Sequence, residues 1–282
     1  MNFSNPTADS FVPDQKPLSE ALARTTHLAI GAHQDDLEFF AFHGIGHCYC
    51  NPKQWFTGVI CTDGAGSPRS GPYENVSDSE MPAIRQHEQR KAAVVGDYSA
   101  IIQLAHPSSA LKDRSNQNPV SDLQQILTIA RPEVVYLHNP ADKHDSHITT
   151  LLRSLQALRA LPPKLRPSQT WGCEIWRGLD WLCEEDKALL PCSTRPNLQA
   201  ALNGIFDSQI SGGKRYDLAV MGRRLANATF LDPHTTDQET GLTYAIDLNP
   251  IVQDDQLCLI EYTLNLVENL KQDIRSRLEK FS

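Results

Sequence analysis

Two stretches of this 282-residue chain gather side chains that handle metal ions and protons: Ala32-His33-Gln34-Asp35-Asp36-Leu37-Glu38 and Asn139-Pro140-Ala141-Asp142-Lys143-His144-Asp145-Ser146-His147. Imidazole nitrogens and carboxylate oxygens are donors that zinc accepts. Either stretch alone also reads as a plain turn, because Asp caps helices readily. Together they supply enough donors for two imidazole ligands and one carboxylate ligand, with a carboxylate to spare. Three ligands with an open fourth position are the donor set of a catalytic zinc site, in which a carboxylate outside the coordination sphere can move protons. The i, i+3 spacing of His144 and His147 puts both on one side of a helix's first turn.

Elements must bring these stretches together. HLAIGA (27–32) and EVVYLHN (133–139) are short apolar runs, as expected of strands buried on both faces, and each cluster directly follows one of them. WFTGVICT (55–62), AIIQLAH (100–106) and QTWGCEIWR (169–177) read as further strands. Between them lie helical patterns: 37–50, weakened by Gly44 and Gly46, 81–96, 122–132 ending at Pro132, and 146–161 ending at Pro162 and Pro163. Strands alternating with helices predict right-handed βαβ units and an α/β, three-layer, Rossmann-like domain with a mostly parallel sheet. In such sheets ligands bind beyond the carboxyl ends of the strands, where both clusters fall. Later segments, 197–210, 213–230 and 261–281, look helical. The expected organisation is a loose N-terminal arm over 1–24 and one domain over 25–282, with a helical C-terminal extension from about 193.

Composition excludes several classes. Lys and Arg number 26 against 34 Asp and Glu, a net charge of -8, which disfavours a nucleic-acid partner. No apolar run is long enough for a transmembrane segment, and the first twenty residues lack a secretory signal's basic and apolar regions. Seven scattered cysteines suit a reducing, cytoplasmic compartment.

AHQDDLE resembles the AHPDD-E signature of the PIG-L/LmbE family of zinc-dependent N-deacetylases, and NPADKHDSH is similar to that family's second motif, a His three residues before another. Arg85-Gln86-His87-Glu88, followed by Gly96, is a third, weaker match; the likeness spans about 26–160. The resemblance implies one Zn2+ per chain held by His33, Asp36 and His147. It implies Asp35 as general base, a protonated His144 steadying the oxyanion, and Arg85 as a substrate-binding residue. Gln34 replaces the family's usual proline, and the acid of the second motif, Asp145, comes one position early, with Ser146 in its place. Asp142 and Asp145 are therefore both candidates to orient His144. The implied reaction is removal of an acetyl group from an N-acetylated amino sugar or related glycoside, by a chain that relatives suggest is a homo-oligomer. The alternatives are a metal-dependent amidase on a thiol conjugate and a non-catalytic sugar or nucleotide binder of the same fold.

Weaker signals stay open. DGAGS (63–67) reads as a turn rimming the site, and Cys48-Tyr49-Cys50 as structural thiols. His43, His47, His87, His106 and His138 are expected to be packing or surface residues. The basic segment 212–230 reads as a solvated or oligomer-facing surface, the alternative being a lid or an acidic-substrate contact through Arg223 or Arg224, and Trp171, Trp176 and Trp181 are unassigned.

Overall fold

The computed structural model describes all 282 residues. Along the chain run β1 (Asp9–Phe11), α1 (Leu18–Ala23), β2 (His27–Gly31), α2 (Asp36–Phe40), α3 (Phe42–Cys48), β3 (Phe56–Thr62), α4 (Met81–Val95), β4 (Ala100–His106), α5 (Ser108–Lys112), α6 (Asn118–Ala130), β5 (Val134–His138) and α7 (Asp145–Arg159). There follow β6 (Gln169–Cys173), β7 (Ala188–Pro191), α8 (Pro196–Asn203), α9 (Asp207–Ile210), α10 (Tyr216–Thr229), β8 (Leu242–Asp247), α11 (Asn249–Gln253) and α12 (Leu259–Phe281).

The strands form one sheet in the order β1-β4-β3-β2-β5-β6-β8-β7. β2 pairs in parallel with both β3 and β5, β3 with β4, and β5 with β6; β1, β7 and β8 pair antiparallel. From β2 the chain winds outward through β3 and β4, then returns to lay β5 on the other side of β2. The strand order therefore reverses between β2 and β5, the crevice where this architecture binds ligands.

Alternating strand residues feed two apolar layers, giving a three-layer α/β fold. Leu28, Ile30, Val59 and Val135 pack with α6 and α7, while Ala29, Ile60 and Tyr136 pack with α2, α3 and α8. Close approach of α3 explains Gly44: a Cβ there would lie 2.6 Å from the Tyr136 ring. The helix expected over 37–50 divides at Ala41 into α2 and α3, and that over 197–210 divides at Gly204 into α8 and α9.

The N-terminal residues are tied down. β1 extends the sheet, Asp9 pairs with Arg90, and Ser4 donates its N–H and O–H to Asp122 at 2.9 and 2.6 Å. The C-terminal portion is also less purely helical than its sequence suggests, since β7 and β8 complete the sheet's far edge. β8 follows the helical run 213–230 and is a strand that the helical reading of this region does not include, although LTYAID is β-branched and aromatic enough to form one.

Candidate metal centre and cleft

β2 ends at Gly31, and the chain turns sharply before α2. Asp35 takes the turn at φ 97°, a left-handed conformation that costs a non-glycine residue about 1–3 kcal/mol. Gln89 steadies it by accepting the Asp35 N–H at 3.1 Å. The turn sends two consecutive carboxylates to different places. Asp36, the first residue of α2, accepts the His33 N–H at 2.7 Å and faces the histidines. Asp35 lines the cavity beside them and meets Arg85 Nη2 at 3.1 Å.

The second stretch leaves β5 and enters α7. His147 is buried in the first turn of α7, and its Nε2 lies 3.4 Å from Asp36 Oδ1 and 3.3 Å from His33 Nδ1. His33 Nδ1 is 3.4 Å from Asp36 Oδ2. Zinc bonds of about 2.0–2.1 Å at tetrahedral angles place neighbouring donor atoms about 3.3 Å apart. The two imidazole nitrogens, 3.3 Å apart, have that spacing, and the Asp36 carboxylate straddles them, with Oδ2 3.4 Å from His33 Nδ1 and Oδ1 3.4 Å from His147 Nε2, so the residues present fit the ion.

The next shell of contacts fixes these three residues. Asp142 Oδ2 lies 3.3 Å from His147 Nδ1, and Oδ1 accepts the N–H groups of Lys143 and His144 at 2.6 and 3.1 Å. Asp142 therefore orients His147 rather than the ring of His144. Asp145 is exposed at the start of α7 and has no hydrogen bond to His144. His144 caps α7: its Nδ1 accepts the Ser146 N–H at 3.3 Å. Burial, with His147 and His33 nearby, holds its pKa at about 4. The structure thus gives a neutral ring with its proton on Nε2, where the sequence suggested an imidazolium.

Burial is the largest influence on the other groups too. It pushes Asp35 well above the usual carboxylate range against the opposing Arg85 charge. Asp36 goes the other way: burial is outweighed by His147 and His138, which hold it well below. Burial lowers His147, but Asp36 and Asp142 raise it further, to about 9. Arg85 is itself buried and donates to Ser67 Oγ, Gln34 O and Asp35, so it is a positioning group for the carboxylate as well as part of the cavity wall.

His138, one of the histidines expected to pack or face solvent, is instead part of the centre's surroundings. It is fully buried at the end of β5, its ring stacks on His147 at 3.9 Å, and its Nε2 lies 3.3 Å from Asp36 Oδ2. Its Nε2 also accepts the Ala32 N–H at 3.0 Å, locking the β2 and β5 ends together. Its place at the carboxyl end of a parallel strand is the signal that the sequence offers.

The cavity above the three donors measures about 520 Å³. The 63–67 turn rims it as expected, and Gly64 at φ 73° lets that turn approach Gln34 and Arg85. Phe39, Ile175, Trp176 and Tyr216 form an apolar wall, with Lys214 and Arg223 on the α10 side. Arg224 is structural: it is buried and caps α2 by donating to the carbonyls of Glu38 and Phe39 at 2.8 and 2.9 Å. Of the three tryptophans, only Trp176 reaches the cavity.

Fold and site together define an α/β protein with a three-donor centre at its switch point. Residues 28–158, which carry both clusters, match the PIG-L family, described as GlcNAc-PI de-N-acetylase; this stretch is a PIG-L family domain. A search of curated proteins finds no match. Among solved structures, the chain is similar to the 4-carboxy-2-hydroxymuconate hydratase GalB from Pseudomonas putida KT2440, with 16% identity, TM-score 0.61, and 79% of this chain and 95% of that one covered. It is also similar to the N,N'-diacetylchitobiose deacetylase from Pyrococcus horikoshii, with 15% identity, TM-score 0.59, and 82% and 88% covered. A third likeness is the A40926 pseudoaglycone deacetylase, with 14% identity, TM-score 0.56, and 79% and 97% covered. At these identities the likenesses establish the shared fold.

Proposed function

We propose that this protein is a zinc-dependent hydrolase that removes the acetyl group from an N-acetylated amino sugar or related glycoside. The observation that carries the reading is the His33, Asp36, His147 cluster, in which the two imidazole nitrogens lie 3.3 Å apart and each has one Asp36 carboxylate oxygen at 3.4 Å, with the Asp35 carboxylate beside it. The PIG-L match points to amide cleavage rather than the hydration named for one fold neighbour. His33, Asp36 and His147 would hold the ion, and a zinc bound there would supply Lewis acidity to lower the pKa of water towards about 7 and to polarise an acyl carbonyl.

The chain's own residues do the rest. Asp35 accepts a proton from the attacking water and delivers it to the departing amine, and Arg85 holds its carboxylate in line. His144 Nε2–H donates to the oxyanion, a contribution of about 3–4 kcal/mol. Trp176 and Tyr216 offer rings against a pyranose face, in a cavity whose 520 Å³ suits one or two sugar units. No helix is long and apolar enough to cross a membrane, and the cysteines are all free, in keeping with a reducing cytoplasmic setting.

The test is acetate release by zinc-loaded protein across a panel of N-acetylated amino sugars, with Asp35→Asn as control. Release that falls at least a hundredfold in the variant, as expected of a general base, supports the reading. No release from any sugar, or equal release by Asp35→Asn, overturns it.

A further inference from the structure

The final helix, α12, meets the body on one face only. Leu266 is buried there, Tyr262 donates its O–H to Asp247 O at 2.7 Å, and Asn269 Nδ2 donates to Asp186 at 2.9 Å. A second face carries Ile260, Leu264, Val267, Ile274, Leu278 and Phe281, each between 45% and 82% exposed. With Lys271 these positions advance in strict alternating steps of four and three residues from 260 to 281. That is the a/d pattern of a two-stranded coiled coil, with Lys271 a polar residue at one a position.

We propose that α12 is a dimerisation helix that pairs antiparallel with α12 of a second copy of this chain. Charge complementarity selects both occupant and direction. The flanking e positions are Glu261 and Glu268 in the first half and Arg275 in the second. Antiparallel pairing sets Glu268 against Arg275 of the partner subunit, twice about the dyad. Arg275 has no ion pair in its own chain, whereas Arg277 meets Asp273 at 2.8 Å; Glu268 meets Lys271 at 3.0 Å within its own helix, an exposed pair that the dimer contact would share or replace. A parallel pair would instead place Glu268 and Arg275 opposite Thr263 and Leu270 of the partner subunit and set Lys271 against its own copy. An anionic lipid surface is a poorer match, because the helix carries four acids and four bases and no basic excess. The antiparallel register packs Leu264 on Phe281 of the partner subunit and Val267 on Leu278 of the partner subunit.

The test is the mass of the full chain by sedimentation at micromolar concentration. The expected result is twice 31.4 kDa, falling to the single-chain mass in Leu264→Glu/Leu278→Glu, whose far-ultraviolet spectrum and melting midpoint stay those of the native fold. Glu268→Arg and Arg275→Glu should each weaken association about tenfold, and the two together should restore it. A wild-type monomer, or a dimer indifferent to Leu264→Glu/Leu278→Glu, overturns the proposal. Charge reversals that the double variant does not rescue overturn the antiparallel arrangement. A monomer that pellets with phosphatidylcholine vesicles through the same leucines overturns it in favour of a lipid surface.

Discussion

Asp142→Asn should weaken zinc binding while leaving the three donor residues untouched. Every contact of the Asp142 carboxylate requires it to accept. Oδ2 faces His147 Nδ1 at 3.3 Å and takes the Trp176 N–H at 3.3 Å, while Oδ1 takes the N–H groups of Lys143 and His144. An amide has one accepting oxygen, so whichever way the substituted side chain turns, its NH2 faces one pair of donors. If the NH2 faces His147, the imidazole loses the acceptor that fixes its tautomer and orientation. Loss of such a support costs about 10–100-fold in metal affinity, or about 1.4–2.8 kcal/mol. Competition for zinc against a chromophoric chelator, on protein shown to be folded by its melting midpoint, reads this directly. Affinity within about twofold of wild type would refute the view that Asp142 orients His147.

Three further outcomes follow from the packing. Gly64→Ala adds a Cβ 2.5 Å from Gln34 Oε1 and 2.9 Å from Arg85 Cδ, at a φ of 73°; kcat should fall at least tenfold with about 1–2 kcal/mol of stability, and wild-type turnover would contradict this. Glu88→Ala leaves the Ser208 N–H and O–H, now accepted at 2.7 and 2.6 Å, without partners; about 1–3 kcal/mol should be lost in denaturant titrations, with faster hydrogen exchange over 207–211. His27 is buried, with His47 nearby, and its pKa is held down at about 4. On acidification the unfolded chain takes up this proton first, at about 6.5, so stability present above that pH is lost as pH falls towards 4. At pH 5 the loss is about 2 kcal/mol, and His27→Gln should remove it; an unchanged difference between pH 7 and pH 5 would count against the assignment.

Much of this is legible in the sequence because buried parallel strands write short apolar runs, and the chemistry follows each run directly. HLAIGA and EVVYLH mark β2 and β5, and their order in the sheet puts the two clusters side by side. What escapes depends on contacts between distant segments. Nothing local says that His138 stacks on His147, that Arg85 bonds Asp35, or that Asp142 serves His147 while Asp145 faces solvent. The edge strands are hard to read for a related reason. β1 is three residues long, and β8 is paired with strands far from it in sequence, so neither has a pattern that stands apart from its surroundings.

The zinc content of purified, zinc-equilibrated protein tests the central claim most directly, measured for wild type, His33→Ala, Asp36→Ala, His147→Ala and Asp35→Asn. The account predicts one ion per chain in wild type and in Asp35→Asn, and loss of that ion in each of the other three. A wild type that holds no zinc, or a single ion that survives all three ligand substitutions, would contradict it.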